Sequence, residues 1–281
     1  MGAVTGVVGG GRMGAGIAQG LLGTGAVVHV VEAGDEAAEA ARARIVAGLE
    51  EAERRGKLTG TVSDALARLH LVDSPAELPA DCELVVEAVP EVPALKVEVL
   101  AAVESAIGAD AVLATNTSSL SVTELAAALQ RPAQFVGMHF FNPVPASKLV
   151  EVVRAAGTSE ATVAAASAWV QQLGKTGIVV RDSPGFASSR LGVLLGLEAI
   201  RMLEEGVADA EAIDTAMELG YRHPMGPLRS TDLVGLDVRL AVAEYLTSTL
   251  GDRFTPPRLL RDKVAAGDLG RKTGRGFHDY S

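Results

Sequence analysis

Apolar and polar positions along the chain follow two regimes. Through the first two thirds, short runs of valine, leucine and isoleucine alternate with longer stretches of helical periodicity. The runs at 4–8, 26–31, 84–87, 111–114, 134–139 and 178–180 predict strands, and the stretches 13–22, 36–55 and 94–107 predict helices. Strands alternating with helices build right-handed crossovers and a mostly parallel sheet. After "RDSPGF" the pattern changes. No further strand is expected, and 186–205, 210–219, 237–250 and 257–266 read as helices. Asp182, Ser183, Pro184 and Gly185 form the natural hinge. The expected organisation is therefore an α/β domain at 1–183 and an all-helical domain at 184–281. The closing "GRKTGRGFHDYS" reads as a terminal loop.

The first strand runs straight into "VVGGGRMGAGIAQG", which carries Gly9, Gly11 and Gly14 in a G-x-G-x-x-G frame. In a chain with 31 glycines that frame alone is weak. Its place between a strand and a helix makes it a dinucleotide-binding fingerprint of Rossmann type. Gly9 permits the tight turn, Gly11 the approach of a pyrophosphate, and Gly14 close packing of helix on strand. The helix N-terminus offers free N–H groups and a positive dipole end to the phosphates. Glu32 ends the second strand, where a carboxylate accepts hydrogen bonds from the adenosine ribose and repels a 2′-phosphate. NAD is therefore expected rather than NADP. The structural alternative is a plain glycine turn.

A second segment, "GMHFFNPVPASKLVEVV", sets His139 at the end of one apolar run and Glu151 inside another. His139 would project from the carboxyl edge of the sheet, where open α/β sheets bind ligands. Histidine suits proton transfer near neutral pH, and a buried carboxylate can hold its tautomer. The alternative is a satisfied core histidine, with Glu151 paired to Lys148 or Arg154 at the surface. "ATNTSSLSV" crowds Asn116, Thr117, Ser118 and Ser119 onto a carboxyl-edge loop, suited to a ligand carbonyl. The bland account is a helix cap at Ser121 or Thr123. "VVEAVPEVPALK" places Glu87, Glu91 and Lys96 after another strand, with Lys96 either functional or merely solvated.

Composition narrows the classes. Nearly half of the 281 residues are hydrophobic, enough for a substantial core. The net charge of −10 and the 4% aromatic content argue against nucleic-acid binding. Cys82 is the single cysteine, so no intrachain disulfide forms. No apolar run reaches membrane-spanning length, and no cationic leader precedes the first strand; a cytoplasmic setting without membrane partners is expected. The five histidines are scattered without ligand spacing, so no metal is expected. A serine hydrolase would need a G-x-S-x-G elbow, which is missing.

Taken together, "GGGRMGAGIAQ", "VVEAVPE", "NTSSLS", "GMHFFNPVPASKLVEVV", "DSPGF", "EEGVADAEAIDTAMELGYRHPMGP", "DLVGLD" and "GRKTGRGF" resemble the NAD-dependent L-3-hydroxyacyl-CoA dehydrogenases, including the bacterial 3-hydroxybutyryl-CoA type. The resemblance spans nearly the whole chain. It implies an N-terminal Rossmann-type NAD-binding domain followed by an all-helical C-terminal domain that forms a homodimer. It implies that His139 takes the proton from the substrate 3-hydroxyl, that Glu151 orients it, and that Ser118 contacts the substrate near the reacting carbon. Arg12, Met13, Ala88 and Val89 would join the glycines around the cofactor. So would Glu91, Lys96, Asn116, Asn142 and Lys272.

The family usually has asparagine where this chain has Ser189, next to the active-site histidine or the substrate, and usually aspartate at Glu32. Ser189 puts the substrate more in doubt than the reaction type. An acyl-CoA tail needs cations, and Arg54, Arg55 and Lys57 form the basic cluster near the fingerprint. Arg55 falls where the family carries a CoA-contacting lysine, and Lys57 is its neighbour. Their alternative is a solvated helix end with Glu50–Arg54 and Glu51–Arg55 pairs. Two other functions stay open: dehydrogenation of a free hydroxy or sugar acid, as in gulonate- and carnitine-specific relatives, and non-catalytic cofactor binding, as in lens crystallins of related sequence.

Overall fold

The structure is a computed structural model that describes residues 2–280. The chain divides into two compact units, one ending at Ser183 and one beginning at Pro184.

The first unit is built on an eight-stranded sheet. Its strands are β1 (Val4–Val8), β2 (Val27–Val31), β3 (Leu69–Val72), β4 (Leu84–Glu87), β5 (Val112–Thr115), β6 (Phe135–Phe140), β7 (Leu149–Arg154) and β8 (Thr176–Arg181). They lie in the order β3-β2-β1-β4-β5-β6-β7-β8. Every adjacent pair is parallel except β6 and β7, which run antiparallel. Strands covered on both faces need apolar residues throughout, and β4, β5 and β6 are buried at every position. The crossovers carry α1 (Arg12–Gly23), α2 (Asp35–Arg54), α3 (Val62–Leu66), α4 (Pro93–Ala106), α5 (Val122–Ala126) and α6 (Glu160–Gln172).

The helix starts follow local chemistry. Asp35 and Glu36 occupy the positive first turn of α2. Pro93 opens α4, where a missing N–H costs nothing. Ser121 and Ser159 cap α5 and α6 with their hydroxyls.

The second unit is helical: α7 (Ser188–Glu204), α8 (Ala210–Gly220), α9 (Pro227–Val234), α10 (Leu236–Leu250) and α11 (Arg258–Ala265). Leu197, Ile200, Leu228, Leu236, Leu246, Phe254 and Leu260 form its core. Among the described residues, no helix is long and apolar enough to cross a membrane.

The mostly parallel sheet and the helical second unit agree with the sequence. Elements that periodicity did not pick out are α3, β3, α6, α9 and the strand character of β7. The terminal segment is chiefly loop, with a short 3₁₀ turn at Arg271–Thr273 and two isolated bridges through Arg275.

Candidate active site

The fingerprint turn follows β1. Gly9 has φ +95°, a conformation L side chains rarely adopt, and an added Cβ would lie 2.9 Å from the Ala88 carbonyl oxygen. The backbone of Ala88 and Val89 thus lies directly against the turn. A Cβ on Gly14 would come within 1.7 Å of the Gly9 oxygen, so α1 can pack here only without one. Gly11 is the N-cap of α1, with no side-chain cap, and open space lies where its Cβ would be. Arg12 and Met13 form the first turn, Arg12 exposed and Met13 packed against the core.

Glu32 follows β2 and accepts a hydrogen bond from the Gly10 N–H. Arg44, which the sequence did not single out, reaches from α2 to donate to the Gly10 carbonyl at 3.2 Å. It lies far from the turn in sequence, and no local signal marks it.

The end of β4 carries a buried charge cluster. Glu87 is fully buried and Lys96 is 1% exposed. Lys96 donates to Glu87 at 2.7 Å and pairs with Glu91 at 3.3 Å. The solvated alternative for Lys96 is therefore overturned: it lies on the inner face of α4. The other Glu87 oxygen accepts from the Thr115 hydroxyl at 2.6 Å.

Glu91 gathers the NTSS loop, accepting from the Thr117 hydroxyl at 2.6 Å, the Ser118 N–H at 2.9 Å and the Ser119 N–H at 3.1 Å. Burial alone would raise its carboxyl pKa. The Thr117 bond, the Lys96 charge and the Ser118 N–H outweigh burial and hold it below the ordinary value. Asn116 ties this loop to the histidine strand, its side-chain carbonyl accepting the Phe140 N–H at 2.9 Å.

His139 is 6% exposed and Glu151 fully buried. The β6–β7 ladder makes them direct cross-strand partners. Nδ1 of His139 lies 2.8 Å from a carboxylate oxygen of Glu151, and the Phe141 ring sits 4.5 Å from the imidazole. The surface pairing considered for Glu151 is thereby corrected; Arg154 pairs with Glu160 instead. Asn142 is exposed at the start of the loop joining the two strands.

A groove of about 670 Å³ opens in the same unit. α1 contributes Gly16 and Gly20, the loop Pro143, Val144 and Pro145, and the end of α2 Glu51, Arg55 and, just beyond, Lys57. Glu51 pairs with Arg55 as foreseen, but Arg54 also turns to Glu51 rather than to Glu50. Ser189 and Lys272 belong to the second unit. Ser189 lies on the first turn of α7. Both Asp237 oxygens accept from Lys272 at 2.6 Å, which holds the Asp237 carboxyl pKa down.

Residues 4–183 match the NAD binding domain of 3-hydroxyacyl-CoA dehydrogenase, and residues 185–280 match its C-terminal domain. The chain belongs to the 3-hydroxyacyl-CoA dehydrogenase family. Among its relatives is a Deinococcus radiodurans protein named a probable 3-hydroxybutyryl-CoA dehydrogenase, 44% identical over 98% of this chain and 99% of that one. A 3-hydroxybutyryl-CoA dehydrogenase of Mycobacterium tuberculosis is 43% identical over 98% of this chain and 97% of its own. The crystal structure of (S)-3-hydroxybutyryl-CoA dehydrogenase from Ralstonia eutropha superposes with a TM-score of 0.94 at 43% identity, covering 100% of both chains.

Family membership makes the chain an NAD-dependent oxidoreductase. The residues present fit that cofactor. The open space over Gly11 at an uncapped helix N-terminus suits a pyrophosphate, and the Glu32 carboxylate beyond β2 sits on the Gly10 N–H of the same turn.

Proposed function

We propose that this protein interconverts an L-3-hydroxyacyl-CoA, such as 3-hydroxybutyryl-CoA, and the corresponding 3-oxoacyl-CoA, with His139 as general base and Glu151 as its orienting carboxylate. The observation that carries the proposal is the 2.8 Å contact between Nδ1 of His139 and a fully buried Glu151. A buried carboxylate on Nδ1 keeps the proton there, so Nε2 carries the lone pair that takes the substrate hydroxyl proton. The same carboxylate stabilises the imidazolium that results. Bound NAD⁺ supplies the acceptor for the hydride that leaves C3.

Ser118 supports the reacting end of the substrate from a loop held by Glu91. The fingerprint glycines, with Arg12 and Met13, support the cofactor diphosphate, and Glu32 the ribose. Ala88, Val89, Glu91, Lys96, Asn116, Asn142 and Lys272 complete the proposed cofactor surroundings. Ser189 takes the place of the family's asparagine near the histidine or substrate. Arg55 and Lys57, in the 670 Å³ groove, offer cations to the coenzyme A phosphates. A homodimer through the helical unit is part of the proposal. Its support is the exposure of Leu191 on α7, Leu233 and Val234 on α9 and Val238 on α10, helices that pack on one another.

The test is NADH consumption with acetoacetyl-CoA, beside free acetoacetate and a blank without substrate. Rapid oxidation with the thioester alone is the expected result. Turnover of the free acid in preference to the thioester, or NADH binding without turnover of either, would sink the proposal.

A further inference from the structure

We propose that Lys175 is a positioning residue, whose ammonium clamps the loop between the histidine strand and the glutamate strand and thereby shapes the groove that captures the substrate. The choice of substrate rests on the acyl-CoA function proposed above; the clamp itself does not.

Lys175 lies between Gly174, whose φ of +67° ends α6, and the first residue of β8. Its Nζ donates to the carbonyls of Val144 and Ser147, both at 2.6 Å. Burial lowers its pKa, and among the described residues it forms no ion pair with a carboxylate. A partly desolvated ammonium is costly unless hydrogen-bonded, and here two backbone carbonyls of one loop provide the compensation.

The loop needs such an anchor. The β6–β7 register holds Gly137–Phe140 against Val150–Val153 through backbone bonds, so His139 meets Glu151 without help from the loop. Beyond Phe140 the chain leaves the ladder. Within the loop, Ala146 and Ser147 both donate to the Pro143 carbonyl at 3.0 Å. Val144 is held from two sides. Its side chain presses on Gly16 of α1, where an added Cβ would come within 2.9 Å, and its carbonyl takes the ammonium. The same loop gives Pro143, Val144 and Pro145 to the groove that Arg55 also lines. Freeing it therefore loosens substrate capture and leaves the proton-transfer pair in place.

Two measurements test this. In hydrogen exchange, Lys175→Met should speed exchange of the amides between 142 and 148 while β6 and β7 keep their protection, and Lys175→Arg should restore the parent pattern. In turnover of 3-hydroxybutyryl-CoA, Lys175→Met should raise KM about tenfold with kcat nearly unchanged, and Lys175→Arg should rescue KM. The parent KM should also rise at alkaline pH, below the ordinary lysine range, as the ammonium is lost; the arginine variant should lack that limb. Lys175 itself lines the groove with Glu51, Arg55 and Lys57, and the Lys148 carbonyl accepts from the Thr176 N–H. Those other four residues stay unaltered throughout, and the loop's exchange, which direct substrate contact would not move, separates a clamp from such contact.

Unchanged exchange across the loop in Lys175→Met, or a fall in kcat with KM unmoved, overturns the clamp. If the unaltered protein turns over no thioester, the acyl-CoA function fails, and the exchange result alone decides the clamp.

Discussion

Two histidine–carboxylate pairs, one in each unit, share a distance and differ in nearly everything else. His139 and Glu151 meet at 2.8 Å through the register of two neighbouring strands. His278 and Asp214 also meet at 2.8 Å, but from residues 64 apart, one in the C-terminal segment and one on α8. Asp214 has further duties. It accepts the Leu228 N–H at 2.8 Å and the Arg229 N–H at 3.0 Å, capping α9. The second ring nitrogen of His278 faces another carboxylate, Glu211, at 3.9 Å. Asp232 completes the anchor by accepting the N–H groups of Phe277 and His278 and the Tyr280 hydroxyl. The helical pair is thus a fastener for the chain end. The sheet pair lies at the carboxyl edge beside the NTSS loop, which Asn116 links to the same strand. A histidine–carboxylate distance alone does not mark a catalytic site; what separates the two pairs is the part of the fold each occupies, a ligand-binding sheet edge for one and a helix-capping anchor for the other.

The largest expected separation comes from truncating the two histidine partners. His139→Ala should cost about 10²–10⁴-fold in the kcat of the folded protein with NADH affinity nearly intact, because general-base transfer contributes that much. Glu151→Gln should fall in the same range by releasing the tautomer. Equal turnover in parent and variants, measured by NADH absorbance, would remove the sheet pair from the mechanism.

Asp232→Ala should act on stability instead. Stranding two backbone donors and a phenol should cost about 3 kcal/mol, read by urea unfolding. His278→Ala is milder, about 1 kcal/mol for one hydrogen bond. Its folded fraction should keep the parent turnover; a hundredfold loss there would erase the distinction between the pairs.

The smallest effect is a pH dependence. Burial first, then the Asp232 charge, pushes the Tyr280 pKa from 10.0 up to about 12. The folded state therefore favours the neutral phenol. The stabilisation is complete below pH 10 and is lost as pH rises through about 12. Tyr280→Phe should flatten that part of the stability curve, and an unchanged slope would place its origin elsewhere.

Much of the first unit was readable because its signals are local. The strand before Gly9, the helix after it and Glu32 all follow from spacing and residue type within one βαβ unit. β3 and α3 were not readable. Four and five residues carry too little periodicity, and half-exposed "LHLV" owes its strand to β2 alongside. α6, "EATVAAASAWVQQ", is apolar on too many sides for a clear helical face. Lys96 shows the opposite failure. Lysine usually reads as surface, and only the placement of Glu87 and Glu91 around it makes burial tolerable. The Asp214–Asp232 anchor lay in conspicuous motifs, but its partners come from the other end of the helical unit.

The sequence by itself determined the alternation of strands and helices that makes the first unit α/β, the change to an all-helical second unit, the dinucleotide turn, and the two residues of the proposed proton-transfer pair. Only the tertiary structure decided that β7 runs antiparallel beside β6 with Glu151 opposite His139, that Lys96 is buried between two carboxylates, and that Lys175 reaches back to the loop at Val144 and Ser147. The reason is physical. Turns, caps and periodicity act over a few residues and leave a local trace in residue type. Strand register and the partner of a buried charge depend on which distant segments exclude water together, and that is settled only when the sheet and its covering helices pack.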